Sequence, residues 1–158
     1  TSLMLTISPK HPQPTPLPTS NTQAGSDSTS REDEWDANKA KWNDFLSNGS
    51  NGYVMQYQQT ACCVYSYNQP YIVTVNSNGV VSDVKTTDGT TVTDAGIISR
   101  MKTVEQAFTL IYNSWPYAEV VTATYDDDAG YPTLGYVDQS PLIADDEFKF
   151  EISNLSLL

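Results

Sequence analysis

The segment from residue 146 to residue 154 constrains the fold most, because its side chains alternate between apolar and polar. Phe148, Phe150 and Ile152 fall on one side of an extended chain, and the residues between them are Lys, Glu and Ser. An antiparallel sheet with one buried face and one hydrated face produces this alternation. The segment therefore predicts a half-buried strand, with other elements of the chain covering its apolar side.

Five further segments are rich in β-branched and aromatic residues and predict strands. They are residues 53–59, 71–76, 80–86, 119–125 and 131–138. Asn78-Gly79 lies between the second and third of these segments and favours a tight hairpin turn, because both residues adopt positive φ angles at low cost. We therefore expect the strands to pair in an antiparallel sheet.

Two segments have apolar residues at helical spacing and predict helices, at residues 31–46 and 103–115. Ser30 with Asp33, and Thr103 with Gln106, have the spacing of capping boxes. The apolar stripes are Trp35, Trp42, Phe45 and Leu46 in the first helix and Val104, Ala107, Phe108, Ile111 and Trp115 in the second. The sequence thus predicts an α+β fold with the order α-β-β-β-α-β-β-β and both helices on one face of the sheet.

An unusual tail at residues 1–30 precedes the single domain predicted at residues 31–158. Five of the ten residues at 9–18 are proline, which predicts a semi-rigid polyproline spacer, and residues 21–30 have the composition of a flexible linker. Ahead of the spacer, Leu3, Leu5 and Ile7 recur at the strand period of two.

Three roles are open for this apolar segment at residues 2–8. It folds back onto its own domain as an edge strand, it is a remnant without a role, or it adds to an exposed sheet edge of another copy. The last role would make the protein a homo-oligomer, since main-chain hydrogen bonds and alternate side chains are what strand addition uses.

The charge balance limits the classes of partner. The formal net charge is −11, and the chain has only eight Lys and Arg residues, so binding to nucleic acid or to an anionic membrane surface is not expected. No run of eighteen apolar residues occurs, so no transmembrane helix is expected. The high content of Thr, Ser, Asn and Tyr is typical of secreted or cell-surface proteins, and a first residue other than Met fits a processed chain.

Acidic residues are densest between residues 125 and 147, which hold seven of the nineteen. Carboxylate clusters suit hard cations, so we consider a loose calcium site made of Asp126, Asp128, Asp138 and Asp145. An EF-hand is ruled out, because Val137 occupies the position where that loop needs a bidentate Glu. The alternative is that these Asp residues cap turns and keep the strand ends hydrated.

No catalytic residue and no cofactor other than calcium is predicted. The only histidine, His11, lies among the prolines of the tail, so a Ser/His/Asp arrangement cannot be assembled. The adjacent Cys62 and Cys63 leave three interpretations open: an oxidised vicinal pair, free thiols, or bonds to a second chain.

A further group of residues has a distinctive spacing: Tyr125-Asp126 at the end of one strand, Gly130-Tyr131-Pro132 at the start of the next, then Asp138, then Asp145-Asp146-Glu147. This spacing resembles the motif of the DUF6174 family, uncharacterised domains of bacterial secreted proteins and lipoproteins. The resemblance covers about residues 42–155, although the two cysteines of the family are separated by one residue and those of this chain are adjacent. It implies a fold and an extracytoplasmic location, but no mechanism.

The sequence therefore predicts a non-enzymatic, extracytoplasmic bacterial domain that binds a partner or a cation through an acidic surface. The alternative is a self-assembling surface or filament subunit whose residues 2–8 add to the sheet of a neighbouring subunit. A hydrolase that uses acidic residues such as Asp126 or Glu147 is the third hypothesis.

Overall fold

The structure is a computed structural model that describes residues 26–49, 51–61 and 65–158. Within these ranges, the helices are α1 (Ser26–Ser47), α2 (Ala95–Ile98) and α3 (Val104–Ser114), with a short 3-10 turn at Tyr65–Tyr67. The strands are β1 (Gly52–Thr60), β2 (Tyr71–Asn76), β3 (Val81–Thr86), β4 (Val120–Tyr125), β5 (Pro132–Asp138) and β6 (Phe148–Leu157). The chain thus runs through a helix, three strands, two helices and three strands.

The six strands form one open antiparallel sheet in the order β3-β2-β1-β6-β5-β4. Each group of three consecutive strands is a meander, and the meanders meet where β1 pairs with β6, for example at Tyr57 opposite Ile152. The prediction of an α+β fold built on an antiparallel sheet is confirmed. Helix α2 is an addition to the predicted order, and the side chain of Asp94 caps it by accepting hydrogen bonds from the backbone N–H groups of Gly96 and Ile97.

The sequence predicted the start of α3 correctly but not the start of α1. The predicted capping box of α3 is present, since Thr103 and Gln106 exchange side-chain and backbone hydrogen bonds. Helix α1, in contrast, begins at Ser26, so Ser30 and Asp33 lie within it and do not cap it. Ser, Thr and Asp are only moderately poor helix formers. A sequence with the spacing of a capping box can therefore lie inside a helix instead of marking its start.

Helices α1 and α3 pack on the same face of the sheet. Tyr53 of β1 shows this, because its ring meets Trp42 of α1 edge-on at 5.2 Å and its hydroxyl accepts a hydrogen bond from the backbone N–H of Val104 in α3. Trp42 also donates from Nε1 to Glu105 Oε1 at 2.7 Å, which joins the two helices directly. Burial raises the pKa of the Tyr53 hydroxyl, so it stays protonated.

Alternate residues of the inner strands make the core beneath these helices. On β1, Tyr53, Met55 and Tyr57 are buried, and the residues between them are half-buried on the other face. Other fully buried core side chains are Trp42, Val73, Val75, Val104, Phe108, Ile111, Phe150 and Ile152. Phe150 and Ile152 belong to the alternating segment of β6, whose predicted buried face is confirmed.

Several predicted features lie outside the described residues. They are the tail strand with Leu3, Leu5 and Ile7, the proline-rich spacer, and the pair Cys62 and Cys63. Among the helices that the structure does describe, none has the length and apolar character needed to cross a membrane.

Candidate functional site

The register of the β4–β5 hairpin divides the predicted calcium site into two places. Tyr125 pairs with Pro132 at one end of the hairpin, and Val120 pairs with Asp138 at the other. Asp126 and Asp128 follow β4, whereas Asp138 ends β5 and Asp145 precedes β6. The two pairs are therefore separated by the length of β5, about 20 Å for a strand of this size. The four side chains do not meet at one ion.

The same separation applies to the residues that a hydrolase would use. Asp126 follows β4 and Glu147 immediately precedes β6, so they too lie at opposite ends of β5. A pair of glycosidase carboxylates needs a separation of roughly 5–10 Å, much less than the length of this strand.

Asp126 caps the turn between β4 and β5. Its Oδ1 accepts hydrogen bonds from the backbone N–H groups of Asp128, at 3.1 Å, and Ala129, at 2.7 Å. The backbone of Asp126 also bonds to Gly130 and Tyr131 across the turn. Asp126 thus has the turn-capping role that was the alternative to metal binding.

Other residues of the motif fasten this turn to the helices. Gly130 has φ +78°, and a Cβ atom there would lie 2.5 Å from the backbone oxygen of Asn38 in α1. Tyr131 packs edge-on against Trp42, and Tyr125 stacks on Phe108 of α3. Burial, with the charge of Asp126 adding to it, raises the pKa of Tyr131. This half of the motif is therefore explained by packing.

Three other acidic residues, Asp145, Asp146 and Glu147, belong to a loop with a defined conformation at residues 139–147, here called the acidic loop. The backbone N–H of Ser140 donates to Asp146 Oδ2 at 3.0 Å, and the N–H of Ile143 donates to the oxygen of Ser140 at 2.9 Å. Asp145 has φ +71°, a left-handed angle that Asp tolerates better than most residues and that turns the chain back toward β6. Asp146 thus closes the base of the loop, and the hydrogen bond between Ile143 and Ser140 forms a turn nearer its tip.

Asp138 and Asp146 form a close carboxyl pair at this base. Asp138 Oδ1 and Asp146 Oδ1 are both shielded from solvent, and neither has a hydrogen-bond partner among the described residues. Desolvation, together with the negative charge of Asp146, raises the pKa of Asp138, although the Tyr136 hydroxyl donates to Asp138 Oδ2 at 3.4 Å and opposes the shift. Neither ion pair found in the described ranges includes a residue of the acidic loop. Its negative charge is therefore not neutralised by these ion pairs.

The carboxyl pair alone does not provide enough ligands for a complete metal site. Within residues 26–49, 51–61 and 65–158, no group of three or more His, Cys, Asp or Glu side chains is arranged to hold a metal ion. A cation at Asp138 and Asp146 would need backbone oxygens and water to complete the six to eight ligands that calcium takes.

The tip of the acidic loop exposes two apolar residues, a feature that was not predicted from the sequence. Leu142 is 94% exposed and Ile143 is 61% exposed, and Asp145 and Glu147 beside them are also exposed. An apolar pair next to three consecutive acidic residues is visible in the sequence, but its exposure depends on the loop conformation. Adjacent exposed aliphatic side chains with a charged surround are typical of interaction surfaces.

Two small cavities among the described residues lie away from this loop. One, of about 70 Å³, is lined by residues that include Leu46, Tyr53 and Glu105, and another, of about 240 Å³, lies at β3 beside Val84 and Ile98. Both are smaller than the roughly 300–1,000 Å³ of a typical site for an organic ligand. The exposed acidic loop is therefore a better candidate for function than either cavity.

Comparisons with known proteins give a family and no relative of known activity. Neither the curated proteins nor the solved structures contain a significant match to the chain. The sequence profile of the DUF6174 family, described as a family of unknown function, matches residues 34–157. The match covers most of the chain, including every strand and the acidic loop, so the chain belongs to the DUF6174 family.

Proposed function

We propose that this protein is a non-enzymatic, extracytoplasmic binding domain that captures a protein partner through the acidic loop. The observation that supports this proposal most strongly is the 94% exposure of Leu142 at the tip of a loop whose base is held by Asp146. A leucine side chain that stays in water loses the favourable free energy of its burial, which is about 1.5–3 kcal/mol. A partner that buries Leu142 and Ile143 recovers that free energy.

The chemistry of the loop indicates what the partner surface looks like. Two aliphatic side chains need an apolar pocket, and the exposed carboxylates of Asp145 and Glu147 beside them need Lys or Arg at its rim. The net charge of −11 adds long-range attraction for a basic partner and raises the rate of encounter. The partner is therefore a protein with a basic rim around an apolar pocket.

Calcium is a second candidate ligand of the same loop. The observation in its favour is the pair of shielded oxygens on Asp138 and Asp146, which lack hydrogen-bond partners among the described residues. A divalent cation shared by the two carboxylates would relieve their repulsion and tighten the loop base, with backbone oxygens and water as the other ligands.

The bacterial, extracytoplasmic setting of this proposal is supported by composition and by the expected character of the family. Abundant Thr, Ser, Asn and Tyr with few Lys and Arg residues is typical of surfaces that work outside cells. The acidic surface also disfavours stable attachment to anionic lipids.

Self-assembly is the alternative function. In this alternative, residues 2–8 of one copy complete the sheet of a neighbouring copy and make a surface or filament subunit. The observation that favours it is that the six-stranded sheet is open and ends in edge strands, β3 and β4, and an unprotected edge strand can pair with a further strand.

The partner proposal is tested by selecting peptides from a random display library against the intact chain. We expect the selected peptides to combine aliphatic residues with Lys or Arg. Their affinity should fall about tenfold or more for Leu142→Ser, which corresponds to about 1.4 kcal/mol of lost binding free energy.

A matched control distinguishes binding of the peptides to the loop from their general attraction to an acidic protein surface. Val80 is also apolar and 57% exposed, but it lies in the turn between β2 and β3. Val80→Ser should leave the affinity of the selected peptides unchanged. The proposal is refuted if no peptide is enriched, or if the Leu142→Ser and Val80→Ser variants bind the peptides equally well.

A further inference from the structure

We propose that the outer edge of β4 accepts residues 2–8 of a second copy of this chain as an added strand. This inference rests on the self-assembly alternative above, and it specifies which edge of the sheet is used and by which segment. Four features of the molecule support it: the state of the two edges, the direction of the β4 backbone groups, the side-chain pattern, and the position of the helix that follows the tail.

The two edges of the sheet differ in how well they are protected. At β3, the following loop returns along the strand, with a bridge between Lys85 and Thr91 and a hydrogen bond from the N–H of Val92 to the oxygen of Val84. Asp83 and Lys85 also place an ion pair on β3. Covering loops and charged residues are the usual protection of an edge against another strand.

Among the residues that the structure describes, none gives strand β4 either form of protection. Its sequence, Val-Val-Thr-Ala-Thr-Tyr, contains no charged residue and no proline. The backbone hydrogen bonds found among the described residues leave the outer side of β4 without a partner. An uncharged, β-branched edge of this kind is a template for pairing with another strand.

The register shows which residues of β4 direct their backbone groups outward. The N–H of Glu119 donates to the oxygen of Gln139, so positions 119, 121 and 123 are the ones hydrogen-bonded to β5. Val120, Thr122 and Thr124 alternate with them and therefore direct their N–H and C=O groups away from β5. These groups are the acceptors and donors that an added strand needs.

The side chains of β4 match the pattern of residues 2–8. On the helix side, Val121, Ala123 and Tyr125 are only half-buried, in contrast to the fully buried helix-side residues of the inner strands. Leu3, Leu5 and Ile7 repeat with the same spacing of two residues. A strand that places these three side chains beside the helix-side residues of β4 extends the apolar face by one strand.

The helix that follows the tail approaches the segment leading into β4. Helix α1 runs antiparallel to α3, because Arg31 lies over the ring of Trp115 at the end of α3, at 5.3 Å, whereas Trp42 bonds to Glu105 near its start. The chain passes from Trp115 into β4 within a few residues. The turn of α1 that holds Arg31 therefore lies beside the segment that leads into β4.

The length of the spacer favours a neighbouring copy over the same copy. Ten residues at 9–18, five of them proline, extend to about 30 Å at the polyproline rise. The six residues of β4 span only about 20 Å. Because five prolines keep such a spacer from doubling back, its composition and length favour reaching the β4 of a neighbouring copy.

Complementation between two full-length variants tests the proposal. Thr122→Pro removes an outward N–H of β4 without removing a hydrogen bond to β5, so this variant can donate its tail but not accept one. The triple variant Leu3→Asp, Leu5→Asp and Ile7→Asp keeps β4 intact but has lost the apolar strand, so it can only accept. Sedimentation velocity gives the size of each variant alone, of their mixture and of the unchanged chain.

We expect the unchanged chain to form species larger than a dimer as its concentration rises, each variant alone to remain a monomer, and the mixture to form a one-to-one dimer. If Thr122→Pro assembles as well as the unchanged chain, the β4 edge is refuted while self-assembly stands. If the unchanged chain is a monomer at every concentration, both proposals fail. Circular dichroism confirms that Thr122→Pro is folded, and Thr124→Pro, whose N–H also faces outward, replaces it if it is not.

Discussion

At the scale of single residues, the motif by which the sequence resembles the DUF6174 family separates into a packed turn and a more exposed acidic part. Asp126 and Gly130 build a turn that packs on α1, and Tyr125 and Tyr131 stack against aromatic residues of the helices. The acidic residues of the loop between β5 and β6 have a different environment, since Asp145 and Glu147 are exposed and Asp146 accepts a hydrogen bond at the base of the loop. Substitutions in the two parts should therefore affect different properties.

Gly130→Ala should destabilise the fold by roughly 1–3 kcal/mol. The residue has φ +78°, and the new Cβ would lie 2.5 Å from the oxygen of Asn38 and 2.6 Å from Lys41 Cβ. Gly79→Ala is the matched control, because Gly79 has φ +74° but no atom within 4 Å of the added Cβ. Urea unfolding should show a larger loss for Gly130→Ala. Equal losses of unfolding free energy in the two variants would mean that the close contact between this turn and α1 does not contribute to stability.

Asp138→Asn should raise the melting temperature at pH 7. Desolvation and the charge of Asp146 raise the pKa of Asp138 in the folded protein, so the folded state binds this proton more tightly than the unfolded chain does. The resulting stabilisation is present below the unfolded pKa, about 3.9, and is lost as the pH rises through the folded pKa. Asn abolishes this titration and removes the charge repulsion that remains at neutral pH.

The measurement is thermal unfolding between about pH 3 and pH 7 in the presence of a chelator. We expect a flatter pH profile for Asp138→Asn than for the unchanged chain, with the largest gain in melting temperature at neutral pH. Asp128→Asn, in the exposed turn at the other end of the hairpin, is the control. A fall in melting temperature at neutral pH for Asp138→Asn would contradict the proposed repulsion.

At the scale of helices and strands, local chemistry located some elements well. The strand predicted at residues 71–76 is β2 (Tyr71–Asn76), because the Asn78-Gly79 turn fixes where it ends. Thr103 and Gln106 located the start of α3 in the same way. Helix α2 was not predicted, because four residues are too short for a helical repeat. Strand β6 continues to Leu157, past the predicted end at residue 154, although Asn154 has φ +51°.

The site was harder to predict than the fold, for two physical reasons. Spacing in sequence does not give distance in space, so Asp126 and Asp138 seemed to be neighbours although a whole strand separates them. Exposure also depends on loop conformation, and Leu142 resembles a core residue in the sequence alone. The separation of Asp126 from Asp138 follows from the strand register, and the exposure of Leu142 follows from the conformation of the loop. Neither is visible in the sequence.

The pairing of β5 with β6 depends on a cross-strand fit between Gly135 and Phe150. A Cβ on Gly135 would lie 2.2 Å from the Phe150 ring, so Gly135→Ala should cost about 1–3 kcal/mol by overpacking. In a background with Phe150→Leu, the same change should cost at least about 0.5 kcal/mol less, since the ring is gone. Urea unfolding of both single variants and the double variant measures this coupling, and strictly additive losses would rule out the contact.

At the scale of the whole molecule, the excess of acidic residues is the dominant property. The chain has nineteen Asp and Glu residues against eight Lys and Arg, and the two ion pairs seen in the described ranges are both solvent-exposed. Such a charge imbalance destabilises the compact state through self-repulsion, and it also attracts basic partners. Stability and partner capture should therefore respond to salt in opposite directions.

Added sodium chloride should stabilise the folded protein. Raising the ionic strength from about 0.01 M to about 0.1 M shortens the screening length from about 30 Å to about 10 Å, which weakens the repulsion between carboxylates. We expect a higher melting temperature at the higher ionic strength, with sedimentation confirming that the oligomeric state is unchanged. A lower melting temperature would show that attractive pairs outweigh the net repulsion.

Chemical-shift mapping on the intact, ¹⁵N-labelled chain tests partner capture by the acidic loop most directly. The probe is a short peptide of alternating Leu and Lys, added at low ionic strength to the unchanged chain and to its Leu142→Ser and Val80→Ser variants. The proposal predicts the largest shifts at residues 139–147, weaker shifts at high salt, and loss of these shifts for Leu142→Ser alone. Shifts that spread over the whole acidic surface, or that persist at the loop in Leu142→Ser, would contradict it.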